Sequence, residues 1–107
     1  MRFYISGPIT GREPGQYKEE FGRAAEIIRG AGHDAINPAE CSEWNMSWDG
    51  FMKIARTVID SGEVDAIYML RGWNKSQGAS RERFAAIKNG IQVVYQDPAD
   101  EKKYRVI

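Results

Sequence analysis

The sequence predicts an α/β domain, a flavodoxin-like or Rossmann-like three-layer sandwich, on three observations. Short apolar runs of strand length alternate with longer segments whose apolar residues recur at helical spacing. The joints between them are punctuated by glycine and proline. One small, polar loop, Gly72 to Glu82, leads from the end of an apolar strand into a helix that carries an acid in its first turns. Strands alternating with helices imply βαβ units, whose right-handed crossovers favour a parallel sheet covered on both faces. The expected strand order is 2-1-3-4, with a possible fifth strand at the edge.

The elements follow in order. Arg2-Phe3-Tyr4-Ile5-Ser6 reads as a short buried strand ended by the turn-forming run Gly7-Pro8-Ile9-Thr10-Gly11. Tyr17, Phe21, Ala24, Ala25, Ile28 and Ala31 share one helical face, with Pro14 suited to the first turn and Gly30 or Gly32 to the stop. Asp34 to Asn37 forms a second strand closed by Pro38, and residues 39 to 48 lack a period and read as a long loop. Phe51, Ile54, Ala55, Val58 and Ile59 mark a second helix, capped by Ser47 or Asn45, with Gly62 near its end. Asp65 opens a third strand running to Leu70. A third helix spans about Ala79 to Asn89 with Gly90 as its stop, Ile91 to Tyr95 is the fourth strand, and Tyr104 to Ile107 is the candidate fifth. In the 2-1-3-4 order the switch point lies between strands one and three. Residues 7–11 and 72–82 are therefore expected to line one crevice at the carboxyl edge of the sheet.

A length of 107 residues suits one domain, 1–107, and no repeat or linker divides it. Fifteen basic and fifteen acidic residues cancel, which argues against a long nucleic acid polymer as partner and for a small ligand. The apolar start is too short for a signal peptide and no apolar stretch could span a bilayer, so a cytoplasmic protein without a membrane partner is expected. Cys41 has no CxxC companion and His33 is the sole histidine. A metal site is accordingly not expected, and both residues read as structural.

Several residues could carry chemistry, each with a plainer explanation beside it. Gly7 and Gly11 would let backbone N–H groups approach a phosphate or sugar hydroxyl, although two glycines also make an ordinary turn. Tyr4, near the end of the first strand, could aim its hydroxyl at the crevice or simply fill the core. Trp44, Trp48 and Trp73 could stack a planar base or form a hydrophobic cluster beneath the long loop. Ser76, Gly78 and Glu82 fall where open α/β sheets bind ligands, yet a glutamate there is also favoured by the helix dipole.

Together these segments resemble the nucleoside 2-deoxyribosyltransferase superfamily, including the 2'-deoxynucleoside 5'-monophosphate N-hydrolases. The run Tyr4-Ile5-Ser6-Gly7-Pro8-Ile9-Thr10-Gly11-Arg12 is similar to that family's first-strand motif. Ser76, Gly78 and Glu82 have the spacing of its serine, glycine and nucleophilic glutamate, and Asp65 matches the acid that opens its third strand. The pattern Gly-Trp-x-x-Ser-x-Gly-Ala-x-x-Glu from Gly72 to Glu82 is shared with small uncharacterised members from phage and bacteria. The resemblance implies N-glycosidic bond chemistry without a cofactor, on a nucleoside or nucleotide. It implies Glu82, Asp65 and Tyr4 as catalytic residues, and Gly7, Ile9, Gly11, Arg12, Trp48, Ser76 and Gly78 as substrate-binding ones. It also implies a homodimer or larger homo-oligomer. One departure stands out: the enzymes carry an aspartate on the second helix where this chain has Thr57, and Asp49 and Asp60 lie roughly two helical turns before and one turn after it. The same residues leave open a non-catalytic nucleotide-binding module, which Thr57 favours, and a small interaction protein using the tryptophan-rich loop.

Overall fold

The computed structural model describes residues 1–9, 12–40 and 47–104, with only the backbone at Pro14, Trp48 and Phe51. Four strands, β1 (Arg2–Ser6), β2 (Asp34–Ile36), β3 (Ala66–Met69) and β4 (Gln92–Tyr95), form one sheet in the order β2-β1-β3-β4. Every pairing is parallel. Tyr4 lies opposite Ile36 on one side and Ile67 on the other, and Ser6 lies opposite Met69. This is the flavodoxin-like arrangement that the alternation of elements predicts.

Three long helices cover the two faces: α1 (Pro14–Gly30), α2 (Trp48–Asp60) and α3 (Gln77–Lys88). Because the chain winds outward from β1 first toward β2 and then toward β3, right-handed crossovers put α1 on one face and both α2 and α3 on the other. The period-two alternation of strand side chains shows the division. Ile5 packs with Phe21, Ala24 and Ile28 on the α1 side. Tyr4 joins Ala55 and Ile59 of α2 and Ala79, Ala85 and Ala86 of α3 on the other.

Helices α2 and α3 both begin at the carboxyl edge of the sheet, and each starts at a serine cap. Ser47 Oγ accepts from the Gly50 N–H at 3.1 Å, and Ser76 Oγ accepts from the Ala79 N–H at 3.2 Å. At their far ends the Asn89 side-chain amide donates to Asp60 at 2.8 Å. Among the described residues no helix is long and apolar enough to cross a membrane.

The end of the chain differs from expectation. A short helix, α4 (Pro98–Lys103), follows β4, and Tyr104 is its C-cap rather than the start of a fifth strand; residues 105–107 lie outside the described part. The helix has a legible cause, since Asp97 accepts from the Ala99 N–H at 3.0 Å and Pro98 occupies the first turn. Trp73 anchors it, donating from Nε1 to Asp100 at 3.2 Å and meeting Tyr104 edge-on at 4.8 Å. The Arg83 guanidinium sits 5.0 Å from the Trp73 ring and donates to the Tyr95 hydroxyl at 2.9 Å, a cation–π arrangement that ties α3 to β4.

The two helix faces differ sharply in burial: Phe21 is fully buried, whereas Phe84 on α3 is 64% exposed. Phe21→Ala is expected to cost about 3–5 kcal/mol, and Phe84→Ala less than about 0.5 kcal/mol. Urea denaturation of the two variants measures both, and equal losses would contradict this assignment of faces.

Candidate functional site

Glu82 lies on the sheet-facing side of α3 beside Ala79, Ala85 and Ala86, and only 7% of it is exposed. A carboxylate in such surroundings is costly unless donors reach it. Two do. The Tyr4 hydroxyl donates to Oε2 at 2.7 Å and the Ser6 hydroxyl donates to Oε1 at 2.6 Å. Both donors come from β1 and stand two residues apart, so the pleat puts them on the same face of the sheet. Burial raises the Glu82 pKa above its ordinary value of 4.5, and the hydrogen bonds from Ser6 and Tyr4 oppose that rise without cancelling it. The result is a desolvated carboxylate whose two oxygens are held in fixed directions, a form suited to nucleophilic or proton-transfer work.

Two clefts border α3 among the described residues, one at the carboxyl edge and one along the groove between α3 and α2. One, of about 550 Å³, is lined by Pro8 and Arg12 after β1, by Arg71 and Lys75, and by Ser76 to Gly78 at the start of α3. The other, of about 360 Å³, has Glu82 and Arg81 on one wall and Asp49, Lys53 and Arg56 of α2 on the other. The single crevice expected from the topology is thus divided. Ser76 to Gly78 occupy the first turn of α3 beside the β1 loop, whereas Glu82 lies a turn further along and opens toward α2.

The sequence-predicted residues sort accordingly. Ser76 is the α3 cap and lines the first cleft with Gly78 and Arg12. The Arg12 guanidinium is bidentate to Glu20 at 2.8 and 2.9 Å and reaches the Pro8 carbonyl at 3.1 Å. That pairing holds the Glu20 carboxyl below its ordinary range and raises Arg12 in turn. Gly7 is required by packing: a Cβ there would come within 2.9 Å of Leu70 Cβ. Ile9 packs against the α1-side core. Gly11 and Trp44, and the Trp48 side chain, lie outside the described residues.

Asp65 does not join the site. It precedes β3 at the amino edge of the sheet, is exposed, and accepts from the Arg2 backbone N–H at 2.8 Å. The motif match reflects its place in sequence, but the parallel pairing sends the amino ends of β1 and β3 to the edge opposite Ser6. Trp73 is likewise no stacking platform, because its ring is buried in the core. The residue that sequence reasoning passed over is Ser6. Its signal was the two-residue spacing from Tyr4 on one strand.

A family model described as "Domain of unknown function (DUF4406)" matches residues 1–95, and the chain belongs to that family. No curated protein and no solved structure matches it significantly.

The raised pKa of Glu82 makes a linkage prediction. A carboxyl whose folded pKa lies above its unfolded one contributes stability at low pH that is lost as pH rises through the folded value. Wild type should therefore lose stability relative to Glu82→Gln as pH rises upward from the ordinary glutamate range near 4.5. Urea denaturation at successive pH values is the measurement, and a pH-independent difference between the two proteins would contradict it.

Proposed function

We propose that this DUF4406 domain acts on the N-glycosidic bond of a nucleoside or nucleoside monophosphate, with Glu82 as nucleophile. The observation that carries the reading is the buried Glu82 carboxylate, gripped through both oxygens by Tyr4 and Ser6 and bordering the cleft between α3 and α2. Its partners agree with the resemblance to the nucleoside 2-deoxyribosyltransferase superfamily, in which the matching glutamate attacks the anomeric carbon. Attack forms a deoxyribosyl ester on Glu82 and releases the base, and water or a second base then resolves the ester, the logic of a retaining glycosidase. Neither a metal nor an organic cofactor enters these steps. Tyr4 and Ser6 orient the carboxylate, and its desolvation keeps it reactive.

The neighbouring cleft suits the anionic end of a nucleotide. Arg12, Arg71 and Lys75 outnumber Glu20 on its walls, and the first-turn N–H groups of α3 have no intrahelical acceptors. From Gly78 to Glu82 is one turn, about 6 Å along the helix axis, a scale comparable to the separation of a 5'-phosphate from its anomeric carbon. The resemblance also implies a homodimer or larger homo-oligomer.

A second reading is a nucleotide-binding module without turnover. It is favoured by Thr57, which stands where the superfamily's enzymes carry an acid and is exposed, its hydroxyl donating to the Lys53 carbonyl at 2.8 Å.

Incubation with a panel of deoxynucleosides and their monophosphates, followed by liquid chromatography, separates the two readings. Wild type is expected to release free base, and Glu82→Gln to bind with little loss of affinity while releasing none. Binding by wild type without release from any substrate, with or without an acceptor base, would leave the binding module. Release that survives in Glu82→Gln would show that the nucleophile is another group.

A further inference from the structure

We infer that Asp49 is the acid that protonates the departing base, an assignment that rests on the glycosidic reading of Glu82. A base leaving from the anomeric carbon carries off the bonding electron pair, and a positioned acid that supplies a proton accelerates such a step. Two aspartates of α2 flank Thr57 at a distance. The tertiary structure distinguishes them.

Helices α2 and α3 run side by side from the carboxyl edge to the amino edge, and the hydrogen bond from Asn89 to Asp60 levels their far ends. Counting back seven residues from each end sets Glu82 at the height of Lys53. Asp49 then stands four residues above Glu82, about 6 Å toward the carboxyl edge, and Thr57 stands about 6 Å below. Among the described residues, Asp49 is the one carboxylate besides Glu82 on the lining of the cleft between the two helices. Asp49, Lys53 and Arg56 follow at three- and four-residue steps, so they share one face of α2, and that face forms the wall opposite Glu82. Asp60 is excluded, since it sits at the amino edge holding Arg56 and Asn89. A first-turn aspartate is also favoured by the helix dipole alone, but the dipole does not require it to face a buried carboxylate across a cleft.

The proton inventory closes on these two residues. A Glu82 oxygen forms a bond to the anomeric carbon as the carbon–nitrogen bond breaks, and the electron pair on the base nitrogen takes the Asp49 proton. A water molecule then attacks the anomeric carbon, returns its proton to the Asp49 carboxylate and frees Glu82 as a carboxylate. The sum is one nucleotide and one water in, one base and one sugar phosphate out.

Leaving-group dependence tests the assignment. A 7-methylguanine deoxynucleotide already carries its positive charge, so its base departs neutral without taking a proton. Asp49→Asn is expected to slow base release from ordinary deoxynucleotides by about 10²- to 10⁴-fold while leaving release from the 7-methylguanine substrate near the wild-type rate. Asp60→Asn should spare both substrates and lower the melting temperature. Circular dichroism establishes that each variant is folded, and Asp49→Glu provides a conservative second variant expected to recover part of the rate. Equal slowing on both substrates, or none on either, overturns the role of Asp49. Wild type that acts on the 7-methylguanine substrate alone also overturns it and leaves Glu82 as nucleophile. Wild type that releases base from neither refutes the glycosidic reading itself.

Discussion

The buried carboxylate of Glu82 is the constraint on which the rest of this domain turns. An anion at that depth is tolerable only when hydrogen bonds replace its water, and a hydrogen bond to a charged group contributes roughly 1.5–3 kcal/mol. Tyr4 and Ser6 supply two such bonds from the central strand. To receive them, α3 must present position 82 to the sheet, and Ala79, Ala85 and Ala86 are the small side chains that accompany it there. The same register orients Tyr4 away from α1 and Ile5 toward it. One polar contact therefore agrees with the whole alternation of β1.

The order of the sheet explains why this group lies at an opening. Strand β1 is central, and the chain leaves it toward β2 but leaves its neighbour β3 toward β4, so the loops after β1 and β3 diverge at the carboxyl edge. Close packing keeps that edge tight elsewhere. Gly7 lies against Leu70 with no room for a side chain, and Gly72 turns the chain after β3 with φ of 83°, a left-handed conformation suited to glycine. Arg83, stacked on Trp73 and bonded to Tyr95, ties the outer side of α3 to β4 and α4. Glu82 and Arg83 are adjacent in sequence and point about 100° apart on the helix, one to the sheet and the other to its flank. Helix α3 is thus held from both directions, with its acid facing the sheet.

Much of this was legible in the sequence because it depends on local periodicity. The boundaries of α1 follow from its apolar spacing with Pro14 and Gly30, the parallel order follows from the alternation of elements, and the loop from Gly72 to Glu82 announces a site by its position after a strand. Asp65 shows where such reasoning fails. Its place in a motif says nothing about which edge of the sheet it occupies, and chain direction in β3 sends it away from Glu82. Helix α4 is hard to read for a different reason: its only sequence signal is the Asp97-Pro98 start, and six residues are too few to show a helical period.

By itself, the sequence determined the fold class and the succession of strands and helices, since both rest on patterns repeated within a few residues, and it placed the acid Glu82 in the first turns of α3. Only tertiary structure decided how that acid is held and what faces it. Tyr4 and Ser6 are 78 and 76 residues away from Glu82 along the chain, and only the packing of α2 against α3 puts Asp49 on the cleft beside Glu82 and pairs Asp60 with Asn89. The physical reason is one of range. Hydrophobic period and capping act over a turn or a strand, whereas the environment of a buried charge is set by groups that meet only after the sheet and its helices have assembled.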